Sequence, residues 1–267
     1  MSDFQVNKAH EVKANEGEYK TLRFFVASMN IEIKCVYGNQ FFAFKNYLAT
    51  FDKPDIEICI TQADIDFERR NHPETLDPDI IVDCEKVAVT YDYGYLEPFV
   101  VLQKLADAIP PFQAFLMHGS VVALDGQAYM FTAQSGVGKT TRTRLWMQEY
   151  PSSIIVNGDK PIIRITDQGV LACGTPWAGK EGWNTNTMVP LRAIFLLERA
   201  EEDSVEEISI GQAFPILLQQ IHRPTDPAAM RMTLRLLQAL QGKVKFYRFR
   251  STRTPEAVRL AYETAKP

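Results

Sequence analysis

Apolar and polar residues alternate over much of the first ninety positions, and longer periods follow. From Leu22 to Thr61 the runs LRFFVA, IEIKCVY and DIEICIT read as strands, separated by Asn30, the Gly38-Asn39 pair and the stretch from Asp52 to Asp55. In the third run Ile56, Ile58 and Ile60 share a face. Further β-like pieces at Ile80 to Asp83 and Val87 to Tyr91 complete a small, mainly β layer. The polar stretch FERRNHPETLDPD, 67 to 79, contains two prolines and is expected to be a surface connection. From Leu96 to Ile109 the spacing of Phe99, Leu102, Leu105, Ala106 and Ile109 predicts one face of a helix, which Pro110-Pro111 ends.

The pattern then changes. FLMHGSVVAL, the Asp125-Gly126 pair and QAYMFTA read as strand, tight hairpin and strand, because a DG pair supplies the positive φ angles of a two-residue turn. The second strand runs straight into AQSGVGKTT, after which Thr140 to Glu149 is expected to be helical. SSIIVN, PIIRI and VLACG read as strands, and Val189 to Leu197 as a buried one. Glu201 to Glu207 reads as an acidic surface turn. Helices near 211–221 and 227–241, a strand near Val244 to Phe249 and a helix from Pro255 follow, without internal repeats.

With 267 residues, 46% of them hydrophobic, the chain can build a substantial core, and its formal charge of -4 does not indicate a nucleic-acid surface. No apolar run reaches the roughly 18 residues of a membrane helix, and the polar opening MSDFQVNKAHEVKANEGEYK has no apolar signal core, so a cytoplasmic protein is expected. Cys35, Cys59, Cys84 and Cys173 form no CxxC pair and suit buried thiols in a reducing compartment better than a zinc site. The charge is divided: residues 242–267 carry seven Lys or Arg against two Glu. Arg248, Arg250, Arg253 and Arg259 read either as a dock for an acidic peptide or as a solvated face.

The chemistry concentrates in Ala133, Gln134, Ser135, Gly136, Val137, Gly138, Lys139, Thr140 and Thr141. This run fits a phosphate-binding P-loop with Ala where the strict pattern has its first Gly. Small residues let backbone N–H groups turn inward around phosphate oxygens, the helix adds its positive end, Lys139 reaches the terminal phosphates and Thr140 can ligate Mg²⁺. Asp159 follows Lys139 by 20 residues, where a returning strand would bring a carboxylate near the metal; Asn-Gly-Asp is also plain turn chemistry. Lys160 is a candidate second cation, and His118 is either structural or functional. The segment CGTPWAGKEGWNTN reads either as a surface turn anchored by Trp177 and Trp183 or as a lid over a ligand. Lys180 is its candidate phosphate contact, with Arg192 and Arg199 as weaker ones.

Together HGSVVALDGQAYMFTAQSGVGKTT, NGDKPIIRI, GTPWAGK and VPLRAIFLLERA resemble the HPr serine kinase and phosphoenolpyruvate carboxykinase-like superfamily, particularly its short bacterial HPr-kinase-related members. The resemblance covers about residues 110 to 265 and is strongest from His118 to Thr141. It implies an α/β protein with an α+β mixed sheet: a P-loop catalytic domain at 96–267 behind a β-rich subdomain at 1–95. It further implies transfer of the γ-phosphoryl group of ATP, with Mg²⁺ or Mn²⁺, to a serine-like hydroxyl of a protein, peptide or small molecule. Thr140 and Asp159 would hold the metal, and Asp159, His118 and Lys139 would serve catalysis. A homo-oligomer would match the rings of HPr kinases; neither nucleic acid nor membrane is an expected partner. Where HPr kinases end the strand after the P-loop in two aspartates, this chain has Gly158-Asp159, so His118 becomes the second candidate. Two other readings stay open, a carboxykinase-like enzyme acting on a carboxylic acid and a non-catalytic ATP-binding sensor or partner protein.

Overall fold

The computed structural model describes residues 19–38, 41–71, 75–82, 85–89, 93–134 and 136–267. Ser135 of the glycine-rich run and Cys84 lie outside them. The architecture is mixed α and β, with a nine-stranded sheet, a three-stranded sheet and a two-stranded hairpin.

β1 (Lys20–Val26) and β2 (Met29–Cys35) form a hairpin, and β3 (Ile56–Cys59) lies parallel to β2. Met29, Ile31, Ile33 and Cys35 alternate inward, and Ile56, Ile58 and Ile60 are buried beside them. Cys59 points outward, unlike the buried Cys35 and Cys173. The expected connection at 67–79 is instead the end of a helix, α1 (Gln62–Asn71), and the start of β4 (Thr75–Val82), which pairs with β5 (Glu85–Val89). α1 buries only Ile65 and so shows almost no apolar period. Polar contacts hold it: Asp64 accepts from the Thr61 N–H and pairs with Lys104 at 2.9 Å, and Arg69 lies over the Tyr93 ring.

α2 (Tyr93–Ala108) packs Leu96, Val100, Val101, Leu102, Leu105 and Ala106 into the core. Phe99 stays on the outer side against Tyr95. The cluster that α2 completes runs without a break from Phe24 and Ile31 to Ala114, Leu116, Ile162 and Cys173 of the large sheet. Within it the fully buried Glu97 carboxylate accepts from the backbone N–H groups of Val36 (2.5 Å), Tyr37 (3.3 Å) and Gly38 (2.7 Å). This pins the end of β2 to α2 with charge-assisted bonds.

The large sheet begins with β6 (Ala114–Leu116) and β7 (Ser120–Leu124). Sequence reading runs these together, but Gly119 breaks them: a Cβ there would lie 2.5 Å from Met130 Cε and 2.8 Å from the Phe131 carbonyl. Asp125 (φ 51°) and Gly126 (φ 73°) make the expected tight turn into β8 (Gln127–Thr132). α3 (Lys139–Glu149) follows, then β9 (Ile154–Asn157), β10 (Ile162–Thr166) and β11 (Gly169–Cys173). β12 (Met188–Arg199) is the spine of the sheet. Its first residues pair antiparallel with β11, and the rest run parallel to β8 and to β14 (Lys245–Ser251).

The strand order is β6-β10-β11-β12-β8-β7-β9, with β14 joined to β12 and β13 (Ser204–Ile208) to β14. β13 replaces the expected acidic turn. It is an edge strand whose Glu206 and Glu207 pair across to Arg248 and Lys245, so its charges satisfy a ladder rather than solvent alone. The strands divide by parity: Val122, Leu124, Tyr129, Phe131 and Phe195 face α3 and α6 (Pro255–Ala265), while Val121, Ala123, Met130 and Ile194 face α4 (Ile210–Gln220) and α5 (Pro227–Gln238).

Glu97→Ala leaves three enclosed N–H groups without their acceptor. It is expected to lower stability to urea by roughly 3 kcal/mol, and Glu97→Gln by less. Unchanged denaturation midpoints in both variants would remove the carboxylate from this role.

Candidate functional site

The glycine-rich loop joins a central strand to a helix, and its backbone departs from ordinary geometry at Gly136 (φ 80°) and Gly138 (φ 127°). Both angles favour glycine, and Gly138 caps α3 with no side chain over the exposed N–H groups. Arg199, at the far end of β12, donates to the Gly136 and Val137 carbonyls. Lys139 donates to the carbonyls of Ala133 (3.0 Å) and Gln134 (3.4 Å). Burial lowers its pKa, against the opposing pull of Asp159.

Asp159 reaches the loop because β9 returns antiparallel beside β7. The Gly119 N–H donates to the Asp159 carbonyl (2.8 Å) and the Met117 N–H to that of Pro161 (3.1 Å), so the β6–β7 break lies against the end of β9. His118 is thereby set beside Asp159, with Nε2 3.2 Å from Oδ1. Burial alone would raise the Asp159 pKa, but the His118 hydrogen bond and the charges of Lys160 and Lys139 prevail and hold it below the usual value of 3.8. Behind it the fully buried Asn157 accepts from the N–H groups of Asp159 (2.9 Å) and Lys160 (2.7 Å), and is itself anchored on the Thr175 carbonyl.

The segment from Gly174 to Thr187 covers this corner. Trp177 packs edge-on against Phe44 and donates to the Pro98 carbonyl (3.1 Å), while Arg144 of α3 pairs with Glu181 (2.7 Å) and stacks on Trp183. The anchored turn is what the structure shows, and the inner side of the segment lines a cavity of about 510 Å³. His118, Gly136, Gly138, Lys139, Thr140, Thr141, Asp159 and Lys180 share that cavity.

Ala133, Gln134 and Val137 instead line a neighbouring cavity of about 550 Å³ with Leu196, Leu197, Arg199 and Ile216. Lys160 lines neither cavity; its charge bears on Asp159, Lys139 and His222. Arg192 lies nearer the start of β12, seven residues before Arg199, and donates to the Ala265 carbonyl, away from the loop. That length of strand puts Arg192 and Arg199 too far apart to serve one site.

Sequence reasoning missed two contributors, Asn157 and Arg142, and read Arg253 only as one of four arginines of a basic dock or solvated face. Asn157 positions Asp159, and its place in the NGD turn was the available signal. Buried Arg142 of α3 holds the connector to α6, and Arg253 on that connector enters the 510 Å³ cavity. Arg142 had no local motif.

No protein-family model and no curated protein matches the chain. Among solved structures, the HPr(Ser) kinase/phosphatase from Coxiella burnetii aligns over 56% of this chain and 95% of its own, at 10% identity and a TM-score of 0.35.

Gly158 has no room for a side chain. A Cβ would stand 2.8 Å from the Ala178 carbonyl and 3.3 Å from that of Trp183, both backbone. Gly158→Ala is therefore expected to displace the covering segment and cost about 1–3 kcal/mol in thermal or urea unfolding, and an unchanged midpoint would contradict this packing.

His222 gives a pH signature. Burial and Lys160 push its pKa from 6.5 down to about 4, against Asp107 and Asp159, and its Nε2 has no partner among the described residues. The unfolded chain then binds the extra proton between these values, so stability falls as pH drops from 6.5 toward 4. At pH 5 the loss relative to pH 7 is at most about 2 kcal/mol, and His222→Gln should remove it from urea titrations at the two pH values. An equal slope in the variant would exclude His222 as its source.

Proposed function

We propose that the protein is a kinase-like enzyme that transfers the γ-phosphoryl group of ATP to a hydroxyl acceptor. One observation carries the reading: the open end of α3, Lys139 and the His118–Asp159 pair all face one cavity. The loop N–H groups and the α3 terminus would hold the polyphosphate, and Lys139 would meet its terminal oxygens. Transfer joins the acceptor oxygen to the γ-phosphorus, breaks the bond to the β-γ bridging oxygen and releases ADP. The acceptor proton passes to the His118–Asp159 pair.

No cluster of three His, Cys, Asp or Glu suited to a metal occurs among the described residues. One carboxylate and one hydroxyl, Asp159 and Thr140, nonetheless fit Mg²⁺ or Mn²⁺ carried in with a nucleotide, since Mg²⁺ usually takes one or two protein oxygens and completes its shell with phosphates and water. Such an ion would neutralise charge developing on the phosphates. The acceptor class stays broad: a protein, peptide or small molecule with a serine-like hydroxyl.

The packing at Gly158 favours a second reading. A β9 turn that carries one carboxylate, with no space for another at position 158, also suits a protein that binds ATP and leaves it intact.

ADP release from MgATP, with water as acceptor, separates the two. Lys139→Ala should weaken ATP binding in calorimetry by tenfold or more under either reading. Asp159→Asn and His118→Gln should keep ATP binding and lose about 10²-fold or more in ADP release if the pair is catalytic. ADP release at the wild-type rate from both variants would contradict this role.

A further inference from the structure

Of the four arginines at the basic end of the chain, three are committed. Arg248 pairs with Glu206 and Glu198, Arg250 with Glu198, and Arg259 with Glu149 and Glu256. Arg253 pairs with no carboxylate among the described residues and lines the 510 Å³ cavity. Its Nε lies 4.0 Å from where a Cβ would stand on Gly138.

Its backbone is braced on both sides. The buried Arg142 guanidinium donates to Ser251 Oγ and to the carbonyls of Thr252 (2.8 Å) and Thr254 (3.4 Å), and stacks on Phe249. Asp203 accepts from the Thr252 N–H (2.7 Å) and hydroxyl (2.9 Å). Arg142 belongs to the helix that the glycine loop opens, so loop and connector share one support. An exposed cation held this way on a fixed backbone is preorganised for an anion.

Strand order says which part of the anion. Along β14-β12-β8-β7-β9 the loop leaves β8, Asp159 approaches from the β9 flank and Arg253 from the β14 flank. The reacting end of a nucleotide would lie toward Asp159 and His118, and the part that stays behind after transfer toward Arg253.

We propose that Arg253 binds the α- and β-phosphates of the nucleotide and thereby fixes its direction across the loop. This rests on the phosphate-site reading above. It differs from a dock for an acidic acceptor, because an arginine on the α- and β-phosphates must affect ADP and ATP alike.

Calorimetry of wild type, Arg253→Ala and Arg253→Lys with ADP and with ATP, Mg²⁺ present, tests this. Arg253→Ala should weaken both nucleotides by a similar factor, roughly tenfold, and Arg253→Lys should recover part of it. Arg250→Ala, on β14 just before the connector but paired with Glu198, should change neither. Arg253 is exposed, and an unchanged thermal midpoint will show that the variants fold. Wild-type ADP affinity in Arg253→Ala would overturn the assignment even if turnover fell, and so would a loss confined to ATP. Wild-type protein that binds neither nucleotide would overturn the phosphate-site reading together with this one.

Discussion

The hydrogen bond from the Gly119 N–H to the Asp159 carbonyl is the constraint on which the site depends. It closes the β6–β7 break against the end of β9, and its two neighbours in sequence and space, His118 and Asp159, are left side by side. Glycine is required there because β8 packs within 3 Å of the position a Cβ would take. The same economy of space recurs at Gly158, against the Ala178 carbonyl, and at Gly179, whose Cβ would stand 3.2 Å from that of Asp159. The corner around Asp159 is thus closed in by backbone, and the lack of a second carboxylate at position 158 follows from steric limits as much as from residue choice.

Much of the core half was legible because its signals are local. The DG turn, the glycine spacing and the helix after Lys139 each depend on a few adjacent residues, and all appear where the pattern puts them. Longer-range features escaped. α1 buries one side chain and so has almost no apolar period to read, and β13 is a strand through its backbone ladder with β14, a pairing distant in sequence. His118 illustrates the limit best. Its strand could be seen, but not the break that turns the imidazole toward Asp159, which depends on pairing with residues some 40 positions later.

Charge count was a weaker guide than topology. Arg192 and Arg199 look equivalent in sequence, yet the direction of β12 sends one to the C-terminal helix and the other to the glycine loop. The arginines of the basic terminus likewise divide, because Arg248 and Arg250 of β14 meet the acidic groups of β12 and β13 while Arg253 lies past the strand and pairs with no carboxylate among the described residues. Exposed pairs of this kind contribute little stability. Their consequence here is selective: they pair Arg248, Arg250 and Arg259, which do not line the 510 Å³ cavity, while Arg253 does.

The N-terminal layer bears on the same site without contributing a side chain to the cavity among the described residues. Its contribution is mechanical. Trp177 seats the covering segment against Phe44 and the Pro98 carbonyl, Asn186 donates to the carbonyls of Phe25 and Asn46, and Glu97 locks α2 to the end of β2 behind them. The other side of that segment is held by Arg144 of α3 through Glu181 and Trp183. The covering segment is thus held from two directions, with Gly179 beside Asp159 and Lys180 on the cavity wall. The first sheet and the glycine-loop helix therefore act on the site jointly, through the residues between Gly174 and Thr187.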